Sequence, residues 1–276
     1  MTPVATAGEP IDLYWWSKEK NFGDLIGPWM VEMMSGRPVR NVMGRRHEPD
    51  AVGLATVGSL IQTFDRPGLE VWGSGSIRHI SKARAERLKP MRPRRIHALR
   101  GRKTLWYVRH RLGWEAPEVF GDPAVLLPRL YQPKPRPDVA GKTAIVAHYV
   151  HKPTLGGLSR DRFHWVDVQD DPDSVIDQIA AADRVISSSL HGLIIASAYG
   201  VPWVWLSVGD EPLSGGRFKF EDHFTTLDAK KVSEALIAPV EVSDDRLAAI
   251  ADTATLPEWT ISHDPLWNAF PYHKPG

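Results

Sequence analysis

The sequence predicts an α/β protein made of two Rossmann-like domains facing a cleft. Short β-rich runs alternate with helical runs along most of the 276 residues, a pattern that builds parallel sheets. The alternation breaks once, at "PRLYQPKPRPDVAGK" (128–142), which carries prolines at 128, 133, 135 and 137. Prolines at that density read as an extended linker. The alternation then restarts, which calls for a second sheet. These observations divide the chain into 1–136, 137–240 and a helical segment, 241–276, expected to pack back on the N-terminal domain. Ligands of open α/β sheets sit beyond the carboxyl ends of the strands, so the cleft is the expected site.

The elements follow in order. "IDLYWW" (11–16) reads as a strand and "GDLIGPWMVEMM" (23–34) as a helix. "LEVWG" (69–73) and "RIHAL" (95–99) are strands, and "KTLWYVRHRLG" (103–113) is a helix closed by Gly113. After the linker, "TAIVAHYV" (143–150), "FHWVDV" (163–168), "RVIS" (184–187) and "VPWVWLS" (201–207) are strands. "DPDSVIDQIAAA" (171–182) and "LHGLIIASAY" (190–199) are the helices between them. "AKKVSEALI" (229–237) and "DDRLAAIADTA" (244–254) carry helical patterns.

Composition narrows the function classes. The chain is 42% hydrophobic and 24% charged, ordinary for a globular enzyme. It has no run of roughly 18 apolar residues, as a membrane span would need. No basic and apolar leader opens the sequence, so cytoplasmic residence is the simplest expectation. There are no cysteines, which excludes disulfides and Cys-based metal sites or nucleophiles. The net charge of +1 hides an asymmetry: residues 78–114 hold thirteen Lys/Arg against one acid, Glu86. Such a stretch reads either as a binding face for a polyanion or an anionic membrane surface, or as a solvated face with acids nearby in space. It lacks the interleaved aromatics of a nucleic-acid platform, so no nucleic-acid partner is expected.

"VISSSLHGLIIASAYGVP" (185–202) is the most informative stretch. A strand runs straight into a helix, with Ser188 or Ser189 as N-cap, Gly200 at C′ and Pro202 as the stop. His191 falls in the first turn, where free N–H groups favour an anion. It suits phosphate donation or acid–base work; the alternative is a packed histidine bonded to a carbonyl. Gly23 permits a tight turn and Asp24 is a candidate cap for the helix after it. Gly73, Ser74, Gly75 and Ser76 read either as backbone N–H donors to an anion or as a plain turn. Trp15 or Trp16, just before Asn21, reads as core or as a platform for a sugar ring.

Seven segments together resemble the polysaccharide pyruvyl transferases: "NFGDLIGPWM" (21–30), "VWGSGSI" (71–77), "ALRGRKT" (98–104), "FGDPAVLLP" (120–128), "IVAHYVHK" (145–152), "SSSLHGLIIASAYGVP" (187–202) and "RFKFEDHFTTL" (217–227). Their order is the family's, and the resemblance covers about residues 11–230. It points to the subgroup that modifies exopolysaccharide repeat units. It departs at Ser189, where many members carry arginine.

The resemblance implies a GT-B-like arrangement and transfer of pyruvate from phosphoenolpyruvate onto two hydroxyls of a hexose, giving a cyclic ketal and phosphate. Phosphoenolpyruvate is then a co-substrate, and the scheme needs no cofactor and no metal. The acceptor would be a lipid-linked oligosaccharide, placing the enzyme at the inner face of the cytoplasmic membrane. His191 and Arg100 are the expected catalytic residues. Ser188, Ser189, Leu190, Gly192, His148, Lys152, Gly73, Ser74 and Gly75 are expected at the donor. Asn21, Gly23, Asp24 and Trp16 are expected at the acceptor. Lys152 would replace the charge missing at Ser189, and Lys219 and Asp222 are further candidates. Two rival readings stand beside this one. A nucleotide-sugar glycosyltransferase would share the two-domain architecture, and a glycan-binding protein without catalysis would explain Ser189.

Overall fold

A computed structural model describes residues 8–44, 52–209 and 213–274. Two five-stranded sheets, parallel throughout, organise the chain. The first contains β1 (Ile11–Tyr14), β2 (Val39–Asn41), β3 (Leu54–Ala55), β4 (Glu70–Trp72) and β5 (Arg95–Ala98), in the order β2-β1-β3-β4-β5. Helices α1 (Phe22–Ser35), α2 (Lys82–Leu88) and α3 (Arg102–Tyr107) accompany it. The second contains β6 (Thr143–Ala147), β7 (Phe163–Asp167), β8 (Arg184–Ser187), β9 (Trp203–Val208) and β10 (Glu234–Ile237), in the order β10-β9-β8-β6-β7. With it come α4 (Lys152–Leu155), α5 (Pro172–Ala181), α6 (Leu190–Ala198), α7 (Phe218–Phe224), α8 (Asp244–Ala251) and α9 (Asp264–Asn268).

Read from its first strand, each sheet has the same order, 2-1-3-4-5, compatible with two Rossmann-like domains. The chain reverses direction across each sheet between its first and third strands: β1 and β3 in one, β6 and β8 in the other. The loops after those four strands diverge and leave a crevice at the carboxyl edge. The local sequence explains the entry into α1. Asn21 has extended backbone, and its side chain accepts from the Gly23 N–H; Asn21, not Asp24, is therefore the cap.

One apolar core contains residues of both sheets, Leu13, Leu54 and Trp72 from the first and Val146, Val185 and Trp203 from the second. Helix α6 lies inside it. Its residues from Leu190 to Ser197 are all buried, because it is covered on one side by its own sheet and on another by the 3₁₀ turns of Pro123–Arg129. The Trp72 indole N–H donates to the Leu266 carbonyl at 2.8 Å, tying α9 to the first sheet.

Three elements differ from the sequence expectation. Residues 229–237 are not a helix: a 3₁₀ turn at Ala229–Lys231 is followed by β10, an edge strand paired with β9. Its backbone finds partners in the sheet that outweigh helix propensity, and Leu236 stays exposed as on an outer face. The helix over 103–113 is α-helical only to Tyr107, then widens to a π turn before the left-handed Gly113 (φ 70°). The strand over 143–150 ends at Ala147, where His148 caps a 3₁₀ turn.

Candidate active site

A cavity of about 790 Å³ is lined by residues that follow strands of both sheets. Its lining comes from the loops after all four strands at the two crevices: Asn21 and Asp24 after β1, Gly58 and Ser59 after β3, His148 and Tyr149 after β6, Ser189 and His191 after β8. Arg78, Arg84 and Arg87 from the basic stretch also line it, with Lys219 of α7, Glu19 and Trp16. Among the described residues, none of the three arginines pairs with a carboxylate. Arg78 donates to Ser214 Oγ and Arg84 to the Gln62 carbonyl. Elsewhere the stretch is neutralised by acids from outside it, with Arg94 on Glu70, Lys103 on Glu221 and Arg109 on Glu118.

His191 lies in the first turn of α6 and is largely buried. Phe22 meets its ring edge-on at 6.3 Å, and Nε2 is 3.7 Å from Asp122 Oδ2. Asp122 is fully buried at the start of the 3₁₀ turns, where Oδ1 accepts from the Ala124 N–H at 3.1 Å. Burial alone would raise its pKa, but His191 and then Arg100 hold the carboxyl below its usual value.

Other groups in the cavity also titrate away from their usual values. Burial pushes the Asp24 carboxyl up to about 6, against the opposing pull of His191, Lys219 and Asn21. Burial, aided by Arg100, brings the Lys219 ammonium down to about 8, although Asp24 opposes this. His148 is lowered to about 3, first by burial, then by Lys219, His151 and His191. It is a neutral imidazole at physiological pH, and its Nδ1 accepts from the Val150 N–H.

Several expected site residues lie outside the lining. Arg100 is completely buried. Its Nε donates to Asp222 Oδ2 at 3.0 Å, Nη1 to Ser59 Oγ at 2.6 Å and Nη2 to the Ser76 carbonyl at 2.6 Å. Asp222 also accepts from the Thr104 N–H and hydroxyl, each at 2.7 Å. Arg100 and Asp222 thus form a buried bridge between the segment after β5 and α7, with Arg100 also holding the cavity-lining Ser59. The Gly73 and Gly75 N–H groups already donate to Ala98 and Gly58 carbonyls, and Ser74 Oγ donates to the Gly58 carbonyl; this turn supports the cavity-lining Gly58–Leu60 loop. Lys152 is turned away and held by Asp167 and Gln169.

The serines divide their work. Ser189 takes the N-cap position, but its side chain makes no capping bond. Ser187 Oγ accepts from the Ser189 N–H, and Ser188 Oγ accepts from the His148 N–H at 3.0 Å while meeting His151 Nδ1 at 2.9 Å. Gly192 allows α6 to lie against β8, since a Cβ there would be 2.3 Å from Ser187 Oγ. Leu190 lines the cavity and Gly23 packs behind it. Asp122, Ser59 and the Arg78–Arg87 group were not among the expected site residues. The basic count pointed at the arginines. "GDP" offered only a turn, because Asp122 gains its meaning from α6 lying across it.

Comparison with known proteins meets the same region. Residues 81–210 match the polysaccharide pyruvyl transferase family. The match runs from α2 to the end of β9, so it includes Arg84, Arg87, His148 and His191, and it bears out the family resemblance over four of the seven segments, those within 98–202. An uncharacterized protein of Acanthamoeba polyphaga mimivirus is 30% identical over 134 residues, which is 47% of each chain. The chain thus spans about half the length of that relative. Ser189 lies within the match, and Lys219, a cation that also lines the cavity, comes from beyond it.

Proposed function

We propose that this protein transfers pyruvate from phosphoenolpyruvate onto two hydroxyls of a hexose in an exopolysaccharide repeat unit. The products are a cyclic ketal and phosphate. The observation that carries this reading is the meeting of His191, Asp24 and Lys219 in one cavity whose rim holds three arginines without carboxylate partners among the described residues, within a chain whose residues 81–210 match the pyruvyl transferases. The two sheets would stand as in GT-B enzymes, with the donor between them.

The chemistry follows from the donor. Its carboxylate and phosphate call for cations; Lys219 supplies one inside and replaces the arginine absent at Ser189. The donor methylene carbon gains a proton and C2 becomes electron-poor. Asp24, with a pKa near 6, is matched to proton transfer near neutral pH, and the His191 imidazole beside it is a second group that can exchange a proton. A sugar hydroxyl adds to C2 and loses its proton to the base. The second hydroxyl then displaces phosphate, which carries away the remaining proton, so the balance closes without a cofactor. Arg100 supports Ser59 and Lys219's surroundings as a positioning residue. Trp16 offers a face to the acceptor sugar, and Arg78, Arg84 and Arg87 attract an acidic acceptor, such as a lipid-linked oligosaccharide at an anionic membrane surface.

The test incubates the protein with phosphoenolpyruvate and lipid-linked or deacylated repeat units, measuring released phosphate and the glycan by mass spectrometry. Phosphate release matched by a ketal on the glycan is expected. Release with a nucleotide sugar alone would move the protein to the glycosyltransferases. Glycan binding with no turnover on any donor would support a non-catalytic role, the reading that Ser189 favours.

A further inference from the structure

Asp122 Oδ2 and His191 Nε2 are both buried, and neither has a hydrogen-bond partner among the described residues. They face one another at 3.7 Å, across the join between the first half of the chain and α6. That distance is longer than a formed hydrogen bond, yet it is the separation of an ion pair, and such contacts often tighten only when substrate is bound. The two ring nitrogens of His191 have different surroundings. Nε2 is enclosed, and His191 is among the residues lining the cavity. Its Nδ1 lies beside Gly23, between the cavity residues Asn21 and Asp24.

We propose that Asp122 is a positioning residue that fixes the tautomer of His191, keeping a proton on Nε2 and leaving Nδ1 to exchange its proton with substrate. A carboxylate is acceptor-only when ionised, so a neutral imidazole facing it presents N–H rather than a lone pair. When Nδ1 takes a proton, the imidazolium charge falls beside Asp122. No proton passes to the carboxylate, and when Nδ1 gives its proton up the original tautomer returns. The other charged or titratable groups around this pair are Asp24 from α1, Arg100 after β5, His148 after β6 and His223 from α7. None of them is paired with Nε2.

Asp122→Asn reverses the arrangement in a defined way. Oδ1 accepts from the Ala124 N–H, so the amide keeps its carbonyl there and turns its NH₂ toward Nε2. The donor then demands a lone pair on Nε2 and moves the proton to Nδ1.

The proposal rests on the reading of His191 as the proton-transferring group, and its first test does not depend on turnover. Protein labelled with ¹⁵N-histidine is compared with His191→Ala to assign the ring, and the neutral tautomer is read from long-range ¹H–¹⁵N correlations. The expected result is Nε2–H in the parent protein and a gain of Nδ1–H in Asp122→Asn. The variant should also lose about 10³-fold or more in kcat for phosphate release, with the donor KM within about threefold; a wrong tautomer in a histidine–aspartate pair costs on that order. Asp122→Glu, which keeps the carboxylate, should retain the parent tautomer. A parent ring protonated on Nδ1, or an Asp122→Asn spectrum unchanged from the parent, would overturn the assignment. If Asp122→Asn does not fold, the parent spectrum decides alone. The expected tautomer with no turnover on phosphoenolpyruvate would instead sink the pyruvyl-transfer reading.

Discussion

A Cβ placed on Gly23 would lie 2.1 Å from Nδ1 of His191. No side chain can occupy that space, so the turn after β1 and the first turn of α6 fit only if residue 23 is glycine. Its φ is not left-handed, so the requirement is space and not backbone conformation.

Gly23→Ala should therefore displace the His191 ring while leaving both sheets intact. Alanine is the better helix former by about 1 kcal/mol, which offsets part of the packing cost. Phosphate release is expected to fall about 10²-fold or more, because a misplacement of the order of 1 Å can cost that much. Far-ultraviolet circular dichroism should be unchanged. Near-normal turnover would mean that His191 does not need its observed position.

Asp24 ties stability to pH. Its pKa in the folded protein, about 6, is above the ordinary 3.8, so the fold holds this proton more tightly than the unfolded chain does. Below about pH 4 both states are protonated and the group is neutral in its effect. As pH rises towards 6 the unfolded chain ionises first and stability is lost; above 6 the full penalty applies. Asp24→Asn should stabilise the protein by on the order of 1–3 kcal/mol at pH 8, with the gain shrinking as pH falls towards 4 and vanishing below the unfolded value of 3.8. Denaturant titration at the two pH values checks this. The same variant should turn over slowly, since it cannot exchange the proton.

Lys219 should set the alkaline limit for donor binding. It loses its proton around pH 8, and the donor's anionic groups lose a cation with it. The donor KM is expected to rise as pH passes 8, and Lys219→Arg should flatten that rise because guanidinium stays charged. A parallel rise in the variant would assign the dependence to another group.

Arg100 should prove a stability residue first. Arg100→Met leaves Asp222 buried without its cation and frees Ser59 and the Ser76 carbonyl. Removing one member of a buried pair costs about 3–5 kcal/mol, which urea unfolding would register. Were Arg100 instead a direct donor ligand, the variant would keep its stability and lose donor affinity.

Four of the five strands of the second half, β6 to β9, were plain in the sequence, and β8 begins and ends where its pattern does. Runs of branched and aromatic residues bounded by Gly, Pro and Asp declare themselves locally. The three-residue β2 and the two-residue β3 are too short for a period to show. Helix α2 is masked by the charges around it, and β10 reads as helix because an edge strand with mixed polarity lacks strict alternation.

What the sequence determined by itself was the alternation that makes two parallel sheets, the strand-to-helix turn that carries His191, the Asn21 turn and the excess of arginine over 78–114. Each depends on residues near one another along the chain. Tertiary structure decided where the polar groups point. Arg100 ends a strand and reads as a cation for the donor, but Asp222, 122 residues further on, supplies a buried carboxylate and turns it inward. Asp122 reads as a turn residue until α6 is laid against it, and Lys219 enters the cavity only because α7 packs on α3. Charge desolvated by burial must find its counter-charge in space, and the partner's distance along the chain does not limit that choice.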